Sequence, residues 1–148
     1  MAFINSFDIV GSGLTAQQLR LDVISENVTN IGTTRTEGGG PYRRKMVVLQ
    51  EKSLQSDFAL AMGRAAEARS TDGGGVRVAE IVEDESDLKL VYDPTNPDAN
   101  AEGYVEMPNV DLVKEITDAM AAGQAYAANV TAFNVLKQVL AKGLEMGR

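Results

Sequence analysis

Two matching heptad-like stripes, one at each end of the chain, constrain this sequence more than any other feature. From the N-terminus, apolar residues fall at Phe3, Phe7, Val10, Leu14, Leu21, Ile24, Val28 and Ile31, stepping by three and four, with Gln17 the one polar member. Near the C-terminus the same stepping runs through Leu112, Ile116, Ala119, Gly123, Tyr126, Val130, Phe133, Leu140 and Leu144, with Lys137 in the charged slot. A narrow apolar seam of this kind is what one long helix presents to another. The stretch between the stripes lacks it.

The spacing predicts a long helix from about Ile4 to Ile31 and a second long helix at the C-terminus. Gly11 and Gly13 are weak points of the first, since each glycine costs about 1 kcal/mol against alanine in a helix interior. Thr15 with Gln18 has the form of a capping box, which allows a break and restart there. Between the helices the composition changes sharply. Gly32–Thr36 and Gly38-Gly39-Gly40-Pro41 read as loop, and Tyr42–Leu49 reads as a strand. Val76–Val82 reads as a second strand, Leu88, Leu90 and Tyr92 alternate in a third, and Gly103–Val105 supplies a short fourth. Ser53–Arg69 has helical spacing at Leu54, Phe58, Ala61 and Ala65 but little apolar character, and reads as a surface insertion. Asp93-Pro94 and Asn96-Pro97 force turns, because proline disfavours helix in the residue before it. Pro108 and Asn109 mark the start of the second helix, with Asn109 as its cap.

The expected fold is therefore α+β. Residues 1–31 and 109–148 form an antiparallel, coiled-coil-like helical hairpin, and a small β-rich domain at 32–108, with a variable insertion near 51–72, is inserted between them. Two long helices cannot shelter each other fully. Burying one stripe on a single partner helix does not offset the entropy of ordering nearly thirty residues. Val23, Leu19 and Ile9 beside one stripe, and Val113, Met120 and Leu136 beside the other, are surplus to a two-helix contact. Such a surplus points to neighbouring subunits. The free monomer is accordingly expected to have fraying ends that become helical on assembly. The expected packing residues are Phe7, Val10, Leu14, Leu21, Ile24, Val28 and Ile31 on the first helix, and Leu112, Ile116, Tyr126, Val130, Phe133, Leu140 and Leu144 on the second. Gln17, Asn27, Asn30 and Asn129 lie on or beside the seam. A buried amide is costly unless bonded and fixes register when it is; spacing alone leaves open whether these four are buried or face water.

Chemistry is poorly provided for. The chain has no cysteine and no histidine, which removes thiolate and zinc-thiolate chemistry and the commonest general base near neutral pH. A formal net charge of -7 leaves no basic face for nucleic acid. Arg43-Arg44-Lys45, the densest basic run, reads as a solvated strand rim. The glycine triplets lack the Gly-Lys-Ser/Thr of a phosphate loop and read as turns. Asp98, Asn100, Glu102 and Gly103 imitate the opening of a calcium loop, but the twelfth position is Asn109 where a bidentate Glu is needed. Glu83, Asp84, Glu85 and Asp87 could pair as acid and base, yet nothing around them promises the burial that separates carboxylate pKa values, so they read as a solvated acidic turn. No catalytic, metal or cofactor-binding residue is expected. No segment is apolar enough to span a bilayer, and the N-terminus lacks the pattern of a cleaved secretory signal.

Several long stretches resemble a known family. They are SGLTAQQLRLDVISENVTNIGTTRT from Ser12 to Thr36, GGPYRRKMVVL from Gly39, VYDPTNPDANAEGYVEMPNVDLV from Val91 and QAYAANVTAFNVLK from Gln124. Together they are similar to the bacterial flagellar rod and hook axial proteins, with the middle stretches favouring a proximal-rod member. That resemblance implies a structural, non-enzymatic subunit of the basal body. It would be exported through the flagellar type III apparatus without a cleaved signal, and would assemble helically with copies of itself and other rod proteins. In the rod that crosses the periplasm, its terminal helices would line the export channel. The resemblance implies no small-molecule substrate, no nucleic acid and no direct membrane insertion. Another axial subunit and, more distantly, a small acidic enzyme are the competing readings.

Overall fold

The computed structural model describes residues 2–52 and 74–146, with side chains from residue 5 onward. Helix α1 covers Ala2–Thr29, strands β1 (Lys45–Glu51), β2 (Val76–Glu83), β3 (Lys89–Tyr92) and β4 (Tyr104–Met107) follow, and helix α2 runs from Leu112 to Met146. The expected α+β class holds. The β-strands form two small sheets, β1 with β2 and β3 with β4. Two compact units emerge: a first drawn from Met1–Gln18, Leu49–Ala79 and Gln124–Arg148, and a second from Leu19–Val48 and Glu80–Gly123. Both helices contribute residues to both units. The reading of Ser53–Arg69 as an insertion, and the stripe position of Phe3, lie outside what is described.

Several boundaries differ from the sequence reading for identifiable reasons. Helix α1 does not break at its glycines: the Thr15 hydroxyl donates to the Gly11 carbonyl one turn back, at 3.1 Å, instead of capping a new helix. Strand β1 begins at Lys45 rather than Tyr42, because Tyr42 and Arg44 turn inward to other partners. Helix α2 starts at Leu112, and its cap is Asp111, not Asn109. The Asp111 carboxylate accepts from the Val113 amide at 3.0 Å, and its carbonyl accepts from Glu115 N at 2.9 Å.

Within the second unit β3 and β4 pair antiparallel, Lys89 opposite Met107 and Tyr92 opposite Tyr104. The tyrosine rings meet edge to face at 5.3 Å. The connection is built from side-chain turns: Asp93 accepts from Thr95 N, Asn96 from Asp98 N, and Asn100 from the amides of Glu102 and Tyr104. Gly103 closes it with φ +82°, and a Cβ there would press on the Tyr92 ring. Val105 and Val110 supply the apolar centre on this side. Within the first unit the amide of Val76 donates to the Ser12 hydroxyl, which itself donates to the Ile9 carbonyl. Gly75 lies against α1 at this point, with φ +95° and no room for a side chain beside Ser12.

Candidate functional site

In the second unit the inward face of each helix shares only part of the stripe read in the sequence, Ile24 on α1 and the half-buried Ala119 on α2. On α1 the buried positions are Val23, Ile24 and Asn27; on α2 they are Glu115 and Ala122. Val23, expected beside the stripe as surplus, is in the core, while Leu112 and Ile116, expected to pack between subunits, are exposed in the single chain. The members of the inward face step by three and four, but on α2 they include Glu115 and Ala122, which the stripe does not contain.

Asn27, 1 % exposed, uses its whole hydrogen-bonding capacity. Its Nδ2 donates to the Lys45 carbonyl at 2.9 Å and to Glu115 Oε2 at 3.1 Å. Its Oδ1 accepts from the Lys45 amide and from the Tyr42 hydroxyl, each at 2.9 Å. The side-chain amide thus pairs with both backbone groups of the first residue of β1, as a neighbouring strand would. Glu115, with no exposed surface, receives Arg44 Nε on its other oxygen at 2.5 Å. Arg44 also donates to Asp118 at 3.1 Å, and its Nη1 lies 3.7 Å from Asp84. Its backbone amide donates to Asn109 Oδ1 at 2.8 Å. Asn109, freed from capping, holds the acidic turn as well, donating to Asp84 O and to Ser86.

The solvated reading of Arg43-Arg44-Lys45 is therefore corrected. Arg44 is 6 % exposed and sits among three carboxylates; Arg43 donates to the carbonyls of Asp84 and Ser86; Lys45 pairs with Glu26. Charge-assisted bonds of this kind permit burial where an unpaired guanidinium would not. The Tyr42 hydroxyl, buried and surrounded by Glu26, Glu115 and Glu83, is pushed up to about 12, chiefly by burial. Asp84 is held below the usual carboxylate range by hydrogen bonds from the Ser86 backbone and hydroxyl, with Arg44 adding to the effect. Asp84 as the acid of an acid–base pair would need a raised carboxyl, the opposite direction.

The other amides differ. Asn30 turns back on its own helix end, donating to Glu26 O and accepting from the Thr33 hydroxyl. In the first unit Asn129 packs on Gly13, where a Cβ would crowd its amide, so that glycine permits a close helix approach. Gln17 keeps a buried Oε1 with no hydrogen-bond partner. Phe7 and Phe133 meet edge to face at 5.2 Å. Val10 and Leu14 of the first unit are half-buried, as are Leu21, Val28 and Ile31 of the second.

The first unit is otherwise open. Among the described residues, every buried side chain except Ala16 belongs to the second unit. Tyr126, Val130, Phe133, Leu140 and Leu144 are all more than a third exposed, Leu144 at 69 %, as are Val135, Val139 and Met146 beside them. Apolar side chains therefore surround this part of α2 instead of forming a stripe. Among the described residues no group of acidic side chains could hold a metal ion, and no helix is long and apolar enough to cross a membrane.

One unit with a buried polar core and another whose part of α2 exposes apolar side chains suit a subunit of an assembly, and the comparisons with known proteins point the same way. Residues 7–35 match the family model described as flagella basal body rod protein, and residues 101–146 match the flagellar basal body rod FlgEFG protein C-terminal model. The chain is 47 % identical to the flagellar basal-body rod protein FlgC of Bacillus subtilis (strain 168) over the whole of both chains. It is 43 % identical to FlgC of Escherichia coli O157:H7, also over the whole of both, and 41 % identical to FlgC of Borreliella burgdorferi over 97 % of each. The chain belongs to the FlgC family of flagellar basal-body rod proteins.

Proposed function

We propose that this chain is a structural subunit of the proximal rod of the bacterial flagellar basal body. It assembles helically with copies of itself and with other axial proteins, and its function is mechanical, not enzymatic. Its terminal helices pair antiparallel as a hairpin and, packed against those of neighbours, form the wall of the export channel and the core of the drive shaft. The subunit reaches the rod through the flagellar export apparatus, without a cleaved signal, and works where the rod crosses the periplasm.

The observation that carries this reading is the distribution of burial. The second unit contains nearly all the buried side chains, while the helical part of the first unit leaves Tyr126, Val130, Phe133, Leu140 and Leu144 uncovered. Exposed apolar surface on this scale is typical of an interface awaiting its partner. In the assembled rod these side chains, with Phe7, Val10 and Leu14 opposite and Leu21, Val28, Ile31, Leu112 and Ile116 flanking the second unit, pack between subunits; Ile24 is used within the subunit. Sliding such a core under torque would require unpacking many close-packed contacts together. Contacts that are not self-complementary and do not close generate an open helix. A different axial subunit is the competing reading, to which the description of the C-terminal family model points, but the full-length identities of 41–47 % favour FlgC.

The test uses Leu140→Asp with Leu144→Asp. Both side chains are exposed, so the variant subunit keeps its helix content and melting temperature. It is made and exported, yet basal bodies purified from those cells lack rods and the cells do not swim. Normal rods and swimming in that variant would contradict the proposal.

A further inference from the structure

We propose that the Arg44–Glu115 pair and the Asn27 amide form a register lock: a device that fixes how far α2 slides along α1 in the second unit, and so decides at what height along α1 the outward apolar side chains of α2 stand. The proposal rests on the assembly reading above and specifies what makes the assembling surface single-valued.

Little else sets the register in this unit: Arg20 Nη2 lies 3.6 Å from Asp118 Oδ1 across the helices, but both side chains are about a third exposed, where an ion pair discriminates weakly between alignments. On α2 the side chains buried in this unit are Glu115 and Ala122, with Ala119 half-buried between them. Alanine offers no knob for a particular hole. A slide by one turn, about 5.4 Å, exchanges residues three or four apart, so in one direction Ala119 would stand where Ala122 stands, one small side chain in place of another. Apolar packing at this crossing is therefore nearly degenerate in register. Glu115 is not. Its Oε2 must meet Asn27 Nδ2 and its Oε1 must meet Arg44 Nε, and both donors are fixed in turn, Asn27 by the backbone of Lys45 and Arg44 by Asn109 and Asp118. One turn of slide would strand a buried carboxylate, a buried guanidinium and a buried amide together, which makes every other register costly. A buried ion pair contributes little net stability compared with apolar residues of similar volume, but it distinguishes sharply between alignments.

The chain has no cysteine, so spin labels can be placed uniquely at Asp22→Cys on α1 and Ala121→Cys on α2, both exposed positions within this unit. With the pair intact, electron–electron distance measurement on the full-length subunit gives one narrow distribution. Glu115→Gln keeps one acceptor oxygen, for Arg44 or for Asn27, and turns an NH2 group on the other donor; it is expected to lower the melting temperature while leaving that distribution single. Arg44→Met with Glu115→Met removes both charges together; the variant keeps its helical circular dichroism and cooperative melting, but its distribution broadens or splits, with a second population displaced by about 5 Å. A single narrow distribution in the double variant would overturn the lock. So would a double variant that fails to fold, since the pair would then be supplying stability, not alignment. Swimming separates the two readings: a single narrow distribution in a double variant that swims normally overturns the lock and leaves the assembly proposal standing.

Discussion

The two units of this chain, each built from two helix segments and strand segments, satisfy their side chains in opposite ways. The second satisfies its most demanding groups internally: Asn27 makes four hydrogen bonds, Glu115 has no exposed surface, and Arg44 is enclosed by carboxylates. The first brings Phe7 to Phe133 and Asn129 to Gly13, but among its described residues only Ala16 is buried. The difference teaches where each unit's stability comes from. Polar saturation is local and complete within one molecule, whereas apolar surface left open is stabilised only by what covers it.

The largest effect expected to break this contrast comes from Glu115→Leu. It leaves the Arg44 guanidinium without its shortest carboxylate partner and Asn27 Nδ2 without Glu115, at a cost of about 3–5 kcal/mol, measured by denaturant unfolding of the subunit. A loss below 1 kcal/mol would mean that the second unit does not depend on its polar core.

Tyr42 gives the next effect, through pH. The folded chain holds the phenol up at about 12, above its ordinary value of 10. The network's contribution is therefore intact below pH 10, where both states keep the proton, and is lost as pH rises from 10 towards 12, where the unfolded chain ionises first. The decline amounts to about 2 kcal/mol by pH 12. Melting temperature against pH should show this fall, and Tyr42→Phe should lessen the slope although it starts from lower stability.

The smallest effect sharpens the comparison from the side of the first unit. Gly11 has open space where a Cβ would stand, whereas a Cβ at Gly13 would crowd Asn129. Gly11→Ala should raise stability by about 0.5–1 kcal/mol through helix propensity alone. Gly13→Ala should gain less, by the cost of displacing the Asn129 amide. Equal gains, read from thermal melts, would show that Asn129 and Gly13 do not constrain the helices.

Much of this was legible in the sequence. Periodicity at Leu14, Ile24, Tyr126 and Phe133 announced both helices, and the Asp-Pro and Asn-Pro dipeptides announced the turns before β4. What escaped was the polar part of the inward face. Periodicity counts apolar residues, and here the face that packs also carries Asn27 and Glu115. A charged residue in isolation reads as solvated, and only the pairing of Arg44 with Glu115, separated by 71 residues, makes its burial intelligible. The available signal was spacing: Glu115, Ala119 and Ala122 step by four and three, in phase with Tyr126 and Phe133. Asn109 looked like a cap by the same local logic, but Asp111 lay closer to the first turn and Asn109 was engaged by Arg44 and Asp84.

Hydrogen exchange on the subunit, dilute and then assembled, tests the central claim most directly. Amides of Val23–Thr29 and Glu115–Ala122 should be protected in both states, whereas those of Gln124–Leu144 should exchange rapidly in the dilute subunit and become protected on assembly. Equal, strong protection of both sets in a dilute monomer would contradict the account, because the first unit would then need no neighbour to shelter it.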